Sequence, residues 1–466
     1  MQLGDILDDV TLDVATGGIE VGRVDSDSRS CRPGSLFFAM PGHESHGSKF
    51  AFDAVARGAV CVVSSEPVPG LAVPVIRVPA SQLYALCAHS SAVIVGEPEL
   101  KTQLVGVTGT NGKTTVTTLV ADIARSLGWN GANIGTLTNE RTTPASPELF
   151  RTLADIVARF DERTARSVVA MEVSSHAIDQ HRIEGLTFTV AAFTNLGHDH
   201  LDYHQTMERY FEAKASLFTT EHSKRAVVWV DDPYGSRLAD ATALPVTRVS
   251  RDDASEVEAT LTGTTFLWRQ QRVSSPLIGD YNIDNALMAM TILSVLGASD
   301  IDIAGAMRGV QSVRGRFELV GGAEFAVIVD YAHTPEGLRR LLLDVKALIG
   351  AGRLITVFGC GGDRDRAKRP EMGQVATRLS DVTIVTSDNP RSEPPDAIID
   401  AIMTGVVPGA NVHRISDRRS AIERAFELAG PGDVVVLAGK GHETTQTVAD
   451  QVLPFDDRAV AMELLR

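Results

Sequence analysis

Eight short runs rich in β-branched residues, at 103–108, 167–173, 189–194, 225–230, 325–330, 353–358, 381–386 and 433–438, are each followed by a turn and a helical pattern. Continuous apolar strands that alternate with helices cannot leave a face open to water, so the chain must build parallel sheets covered on both sides, an α/β fold. In such sheets ligands collect beyond the carboxyl ends of the strands, which is where the polar clusters of this sequence fall. The first run carries the sharpest of them. After Leu104 to Val107 come Gly109-Thr110-Asn111-Gly112-Lys113-Thr114-Thr115, and then a helix-like segment from Thr115 to Leu127. Glycines let backbone N–H groups crowd round phosphate oxygens, a lysine neutralises the β- and γ-phosphates, and a threonine hydroxyl can ligate Mg²⁺. The position five residues before Gly112 is Val107, so the spacing departs from the common GxxxxGK[ST] form and an ordinary glycine-containing turn is the alternative. Nucleoside triphosphate chemistry is the first expectation.

A chain of 466 residues is too long for one core, and about 150 residues per domain suggests about three domains. Cuts near 98, where GEPELKTQ precedes the first strand, and near 315, at Val313-Arg314-Gly315-Arg316, give regions 1–98, 99–315 and 316–466. A net charge of −15 argues against a dedicated nucleic-acid binder. Four widely spaced cysteines without a CxxC pair indicate neither a zinc site nor a disulfide framework, and fit reduced cytoplasmic thiols. The acidic start MQLGDILDDV and the lack of any apolar run of 18 or more lead us to expect neither a secreted nor a membrane-spanning protein.

Two further strand ends carry candidate metal chemistry. Met171-Glu172-Val173-Ser174-Ser175-His176 and Thr194-Asn195-Leu196-Gly197-His198-Asp199-His200 sit where a nucleotide's metal would be. Glu172 and His200 suit a Mg²⁺ ion bridging a γ-phosphate and an acceptor, with a zinc site or plain loop histidines as the alternative for His198, His200 and His204. Lys214, on the helix-like stretch Tyr210 to Phe218, reads from its residues alone as a solvated charge. In the last region Gly359–Asp365, Asp388-Asn389-Pro390-Arg391 and Gly439–Glu443 end three strands. Arg364 and Arg391 could clamp carboxylates while Asp388 and Glu443 bind an ammonium group, so a substrate with amine and carboxylate fits; a solvated ion-pair network is the alternative.

Taken in order, GTNGKTT, MEVSSH, FTNLGHDHLDYH, YFEAKASLF, GDYNIDNA, VRGRFE, DYAHTP, GCGGDRDRAKRPEMG, DNPR and GKGHE resemble the Mur ligase family, ATP-dependent amide-bond-forming enzymes of peptidoglycan synthesis. The resemblance implies three domains: an N-terminal UDP-binding unit, a central ATPase-like parallel sheet and a Rossmann-like C-terminal unit for the amino acid. Within the family the chain is most similar to members that add the third residue to UDP-MurNAc-L-Ala-D-Glu. It then implies that Gly109 to Thr115 bind ATP, with Lys113 catalytic, and that Thr114, Glu172, His200 and a carbamylated Lys214 hold Mg²⁺. Asn282 and Asn285 match adenine-side positions, and Arg316, Asp330 and His333 match the segment joining the C-terminal domain to the nucleotide. Ser28, His43, Glu44 and Ser45 match uridine-side positions, although the loop GHESHG departs from the family form. Thr142, Thr143, Ser174, Gln180 and Arg182 match muramyl-dipeptide contacts. Arg364, Asp388, Asn389, Pro390, Arg391, Gly439 and Glu443 match the set that reads meso-diaminopimelate, whose extra carboxylate suits the fork of Arg391. L-lysine or another diamino acid, a folylpolyglutamate synthetase-like ligase and a non-catalytic nucleotide-binding regulator are the competing readings. A monomer in the cytoplasm is expected.

Overall fold

The protein is described here as a computed structural model, in which residues 1–42, 45–139, 141–322 and 324–465 are described. Four strands, β1 (Arg23–Asp25), β2 (Ser35–Ala39), β3 (Ala59–Ser64) and β4 (Val75–Arg77), form a parallel sheet in that order. Leu36, Phe38 and Val63 pack with Leu3 and Ile6 on one face to make its core.

The central sheet holds β5 (Gln103–Thr108), β6 (Asn130–Ile134), β7 (Ser167–Glu172), β8 (Val190–Phe193), β9 (Ala226–Trp229) and β10 (Val246–Val249). All are parallel, in the order β10-β9-β8-β5-β7-β6. The chain therefore leaves β5 for the far edge, returns to β7 beside it, and crosses to β8 on its other side. Loops that follow β5, β7 and β8 thus emerge side by side at one end of the sheet, the switch point where parallel sheets bind ligands. After it come β11 (Ala254–Thr260), β12 (Gly263–Trp268) and β13 (Gln271–Ser275), an antiparallel sheet whose Phe266, Trp268 and Val273 pack on the buried helix Asp280–Val295.

The C-terminal sheet comprises β14 (Glu318–Leu319), β15 (Ala326–Asp330), β16 (Leu354–Phe358), β17 (Val382–Val385), β18 (Val412–Arg414) and β19 (Val434–Ala438). Its order is β14-β15-β19-β16-β17-β18, with only β14 antiparallel, so β19 enters the sheet between two strands made long before it. Apolar side chains of alternate residues cover both faces. A hairpin of β20 (Thr445–Val448) and β21 (Gln451–Pro454) follows.

All eight strands expected from sequence form, with ends within one residue of the expected positions. The helix after the phosphate loop starts at Lys113 rather than Thr115, and the helix bearing Lys214 ends at Ala215 and tightens into a 3₁₀ turn over Ser216–Phe218. No helix among the described residues is long and apolar enough to cross a membrane.

One buried ion pair fastens the C-terminal unit. Arg418 and Asp457 are both wholly buried, and the guanidinium donates to the carboxylate at 2.7 and 2.6 Å and to the Ala438 carbonyl at 3.0 Å. Removing one partner strands a charge, so Asp457→Ala should lower stability by about 3–5 kcal/mol. Denaturant unfolding checks this, and a loss under ~1 kcal/mol would show that water reaches the pair.

Candidate active site

The phosphate loop needs its glycines. Gly109 and Gly112 have φ of +146° and +87°, and a Cβ on Gly109 would lie 1.9 Å from Thr194 Oγ1. The loop is pinned from β8's end: Asn195 Oδ1 accepts from Asn111 N at 3.0 Å, and Thr194 Oγ1 donates to Asn111 O at 2.6 Å. Thr110 Oγ1 meets the Tyr210 hydroxyl at 3.2 Å. Lys113 and Lys214 both donate to the Gly109 carbonyl, each at 2.9 Å. Lys214 is 1% exposed, so the solvated-charge reading of its segment is corrected: its helix turns it inward beneath the loop, over the Tyr210 ring. Burial, and then the neighbouring Lys113, hold its amine well below the usual lysine range. Burial also lowers Lys113, partly offset by Glu172.

Glu172 ends β7 and is 1% exposed, accepting from Thr136 N at 2.8 Å and Thr136 Oγ1 at 3.2 Å. His200 has a left-handed backbone, φ +54°, and its ring meets His176 edge-on at 4.9 Å. Although its side chain is 47% exposed at a cavity mouth, desolvation by the surrounding protein pushes its imidazole down to about 4, so it is neutral with a free lone pair. His204 is instead buried against Ser175 Oγ at 2.9 Å. Burial pushes Asp199 up, but His200, His333 and Lys368 outweigh it and hold the carboxyl low.

Among the described residues, no group of three or more His, Cys, Asp or Glu is drawn together as a metal site. The fit to Mg²⁺ therefore depends on other donors. Glu172 carboxylate and Thr114 hydroxyl oxygens suit a hard cation, neutral His200 does not repel one, and a neutral Lys214 amine is the form that adds CO₂ to give a carbamate oxygen donor. With that modification the residues present fit the ion; with an ammonium at Lys214 they would oppose it.

One cavity is lined by the loop itself and a second lies beyond it at His200. The first, of about 450 Å³, is lined by Gly112, Thr115, Asn285, Arg316 and Asp330. Asn285 donates to Asn282 Oδ1 at 3.3 Å, and Asn282 is spent on Ile278 O at 2.7 Å, so it supports Asn285 instead of facing the cavity. Arg316 reaches back to Thr114 Oγ1 at 3.3 Å and stacks on Tyr331 at 4.4 Å. Asp330 accepts from Phe317 N and Ala332 N, both at 2.7 Å, and from the Tyr281 hydroxyl at 3.0 Å, which fixes the joint between the units. The second cavity, about 390 Å³, is bounded by Thr142 and His200 on one side and by Arg364, Asp388, Asn389, Arg391, Gly439 and Glu443 on the other. His333 lines it too, and Tyr331 lies in the wall of both.

Inside the second cavity, Arg391 has φ +51° and donates to Gly362 O at 2.7 Å. Pro390, buried, precedes it and accepts from Glu393 N at 3.0 Å. Asn389 Nδ2 donates to Glu443 Oε2 at 2.7 Å. A Cβ on Gly439 would come within 2.8 Å of Asp388 Oδ2.

A third cavity, of about 640 Å³, lies between the N-terminal and central units and is lined by Gly42, Tyr84, Arg141, Gln180 and Arg182. Arg182 donates to Thr143 O at 2.9 Å and to Gln180 Oε1 at 2.5 Å; Thr143 Oγ1 donates to Glu172 O at 2.9 Å and pairs with Ser174 Oγ at 3.4 Å. These residues run as a chain from this cavity to Glu172. Ser28 is buried and donates to Asp53 Oδ2 at 2.8 Å, apart from the cavity lining. Ser45 is half-buried and is not part of the cavity lining, and His43 and Glu44 fall outside the described residues.

Asp199, Tyr331 and Lys368 also line the second cavity and Lys440 lies buried against Asp388 and Glu443; local sequence does not mark these four, because only the convergence of separate loops brings them to the site.

Three family models match the chain: Mur ligase family, catalytic domain, over residues 20–102; Mur ligase middle domain over 107–293; and Mur ligase, glutamate ligase domain, over 315–441. A UDP-N-acetylmuramoyl-L-alanyl-D-glutamate–2,6-diaminopimelate ligase of Gloeobacter violaceus is 42% identical over 488 residues, covering 100% of this chain and 98% of that one. A solved structure of a ligase of the same name is 30% identical, with TM-score 0.69, over 100% of this chain and 98% of that one. A MurF ligase from Thermotoga maritima in complex with ADP is 16% identical over 95% of this chain and 96% of that one, and shares the fold with TM-score 0.65.

Proposed function

The chain belongs to the Mur ligase family, and from that premise we propose that it joins meso-diaminopimelate to the D-Glu of UDP-MurNAc-L-Ala-D-Glu at the expense of ATP. It is an ATP-dependent amide-bond-forming ligase of peptidoglycan precursor synthesis. The observation that carries the substrate reading is the 390 Å³ cavity, in which an arginine- and carboxylate-bearing crevice of the C-terminal unit opens onto His200 and Thr142 of the central unit. We assign residues 1–98 to the uridine nucleotide, 99–315 to ATP and 316–466 to the amino acid. Working on a nucleotide-activated precursor with ATP, the enzyme belongs in the cytoplasm.

In the first step an oxygen of the D-Glu γ-carboxylate bonds to the γ-phosphorus as the bond to ADP breaks. The resulting acyl phosphate is attacked by the diamino acid's amine; the C–N bond forms, the C–O bond breaks, and phosphate departs with the amine's proton. Two anions must meet in the first step. Lys113 and the N–H groups of Gly109 to Thr115 stabilise the charge that develops on the phosphates. Arg316, held against Tyr331, brings a second cation from the C-terminal unit. Asn285 and Asp330 border the nucleotide's cavity. Gln180, Arg182, Thr143 and Ser174 hold the acceptor's peptide arm, with Ser28, His43, Glu44 and Ser45 assigned to the uridine. Thr114, Glu172, His200 and a carbamylated Lys214 would hold Mg²⁺, which when bound screens the repulsion between carboxylate and phosphate. Arg391 and Arg364 receive the distal carboxylate, with Asp388, Asn389 and Glu443 on the ammonium.

Phosphate release from ATP with UDP-MurNAc-L-Ala-D-Glu, supplied in parallel with meso-diaminopimelate, L-lysine or L-ornithine, tests this. Release is expected with diaminopimelate and at less than about a hundredth of that rate with lysine, since a lost bidentate contact leaves Arg391 unpaired. Preference for lysine would keep the ligase and overturn the assignment of Arg391. Silence with every amine would overturn the function.

A further inference from the structure

Lys440 is wholly buried yet lies in the loop that closes the amino-acid crevice. Its ammonium donates to Thr445 O at 2.7 Å and to Glu443 Oε2 at 3.2 Å, and lies 3.5 Å from Asn389 Oδ1 and 3.8 Å from Asp388 Oδ1. Every group it touches belongs to the two loops that line the crevice or to the strand β20 behind them. That strand is itself laced to the same loop: Asn389 Oδ1 accepts from Thr447 N at 2.9 Å, Gln446 Nε2 donates to Asp388 O at 2.6 Å, and Arg391 N donates to Thr447 O at 3.0 Å. Glu443 keeps 31% of its side chain open while its other face is held by Lys440 and by Asn389 Nδ2 at 2.7 Å.

We propose that Lys440 is a positioning residue for the added amino acid, an internal counter-ion that holds Asp388, Asn389 and Glu443 in the arrangement that receives it. The inference rests on the function proposed above. Two carboxylates on adjoining loops repel each other, and a single substrate ammonium would leave the pair with one uncompensated charge. With Lys440 between them the trio carries one net negative charge, which one incoming ammonium neutralises. The site so composed is matched to a single incoming ammonium. A lysine serves because its long stem lets the charge reach Thr445 O without filling the crevice.

Lys440→Met keeps the stem and deletes the charge. Steady-state kinetics on the full-length enzyme should show KM for meso-diaminopimelate rising on the order of 30-fold or more, with KM for ATP and for UDP-MurNAc-L-Ala-D-Glu changing by less than about threefold and kcat falling far less than KM rises. Lys440→Met combined with Glu443→Gln should cost no more than about twice what Glu443→Gln costs alone, because the counter-ion acts through that carboxylate. Should Lys440→Met fail to fold, Lys440→Gln, which retains a donor to Thr445 O, is expected to show the same selective rise. An unchanged KM for diaminopimelate, equal shifts in all three KM values, or fully additive losses in the double variant would overturn the proposal. Wild-type enzyme that turns over with no diamino acid would overturn the function and the proposal together, whereas active wild type with an unaffected variant would overturn the proposal alone.

Discussion

Lys214→Ala should cut turnover by about 10³-fold, comparable to the loss of a preorganised charge-stabilising group at a transition state. The side chain is 1% exposed and shares the Gly109 carbonyl with Lys113, so it lies directly under the loop assigned to the phosphates. Lys113 still holds that carbonyl in the variant, and the loop keeps its anchors at Thr194 and Asn195, so ADP affinity should fall by less than about tenfold. The form in which Lys214 works is tested by rescue. Burial holds its amine low, and a neutral amine is the species that takes up CO₂. Added formate or acetate should therefore restore part of the activity of Lys214→Ala, while methylammonium should not. Rescue by methylammonium alone would assign the role to the cation, and full activity without rescue would remove Lys214 from the machinery.

The second large effect is expected at Gly109→Ala. Its φ of +146° lies where side chains are strained, and the added Cβ would meet Thr194 Oγ1 at 1.9 Å and Asn195 N at 3.1 Å. Displacing Thr194 also releases its bond to Asn111 O, so strain and lost anchoring act on the same turn. Strain of about 1–2 kcal/mol and overpacking of about 1–3 kcal/mol together predict ADP binding weakened by roughly 10²-fold. Titration calorimetry with ADP reads this directly. Affinity within threefold of wild type would mean that the β8 loop yields to the methyl group at little cost.

What sequence revealed and what it hid have separate physical causes. Eight of the twelve strands in the two large sheets are buried along nearly their whole length, and such strands read as unbroken β-branched runs. The antiparallel sheet β11 to β13 went unseen because its edge strand β11 meets water on both sides: Ser255, Glu256, Val257 and Glu258 are all exposed, and the run looks like a polar linker. In the N-terminal unit β1 and β4 have three residues each, too few for any period to show. Lys214 read as solvated because a lysine on a packing helix ordinarily carries its charge to water; its helical spacing with Met207, Tyr210 and Phe211 is a local hint of burial, but the loop it lies under comes from about 100 positions earlier in the chain. Lys440 is a buried charge whose partners Asp388 and Asn389 arrive from another strand end, so its role exists only once the loops meet.

Because β19 takes its place between β15 and β16, the C-terminal sheet has a gap in its middle while a ribosome is still delivering β16, β17 and β18. A nascent chain thus exposes a finished phosphate loop well before Arg316 and Asp330 have a settled scaffold and before Arg391 and Glu443 can face each other. A chain that ends before β19 therefore lacks the strand that sets β15 and β16 in register, and with it a scaffold for the C-terminal wall of both cavities.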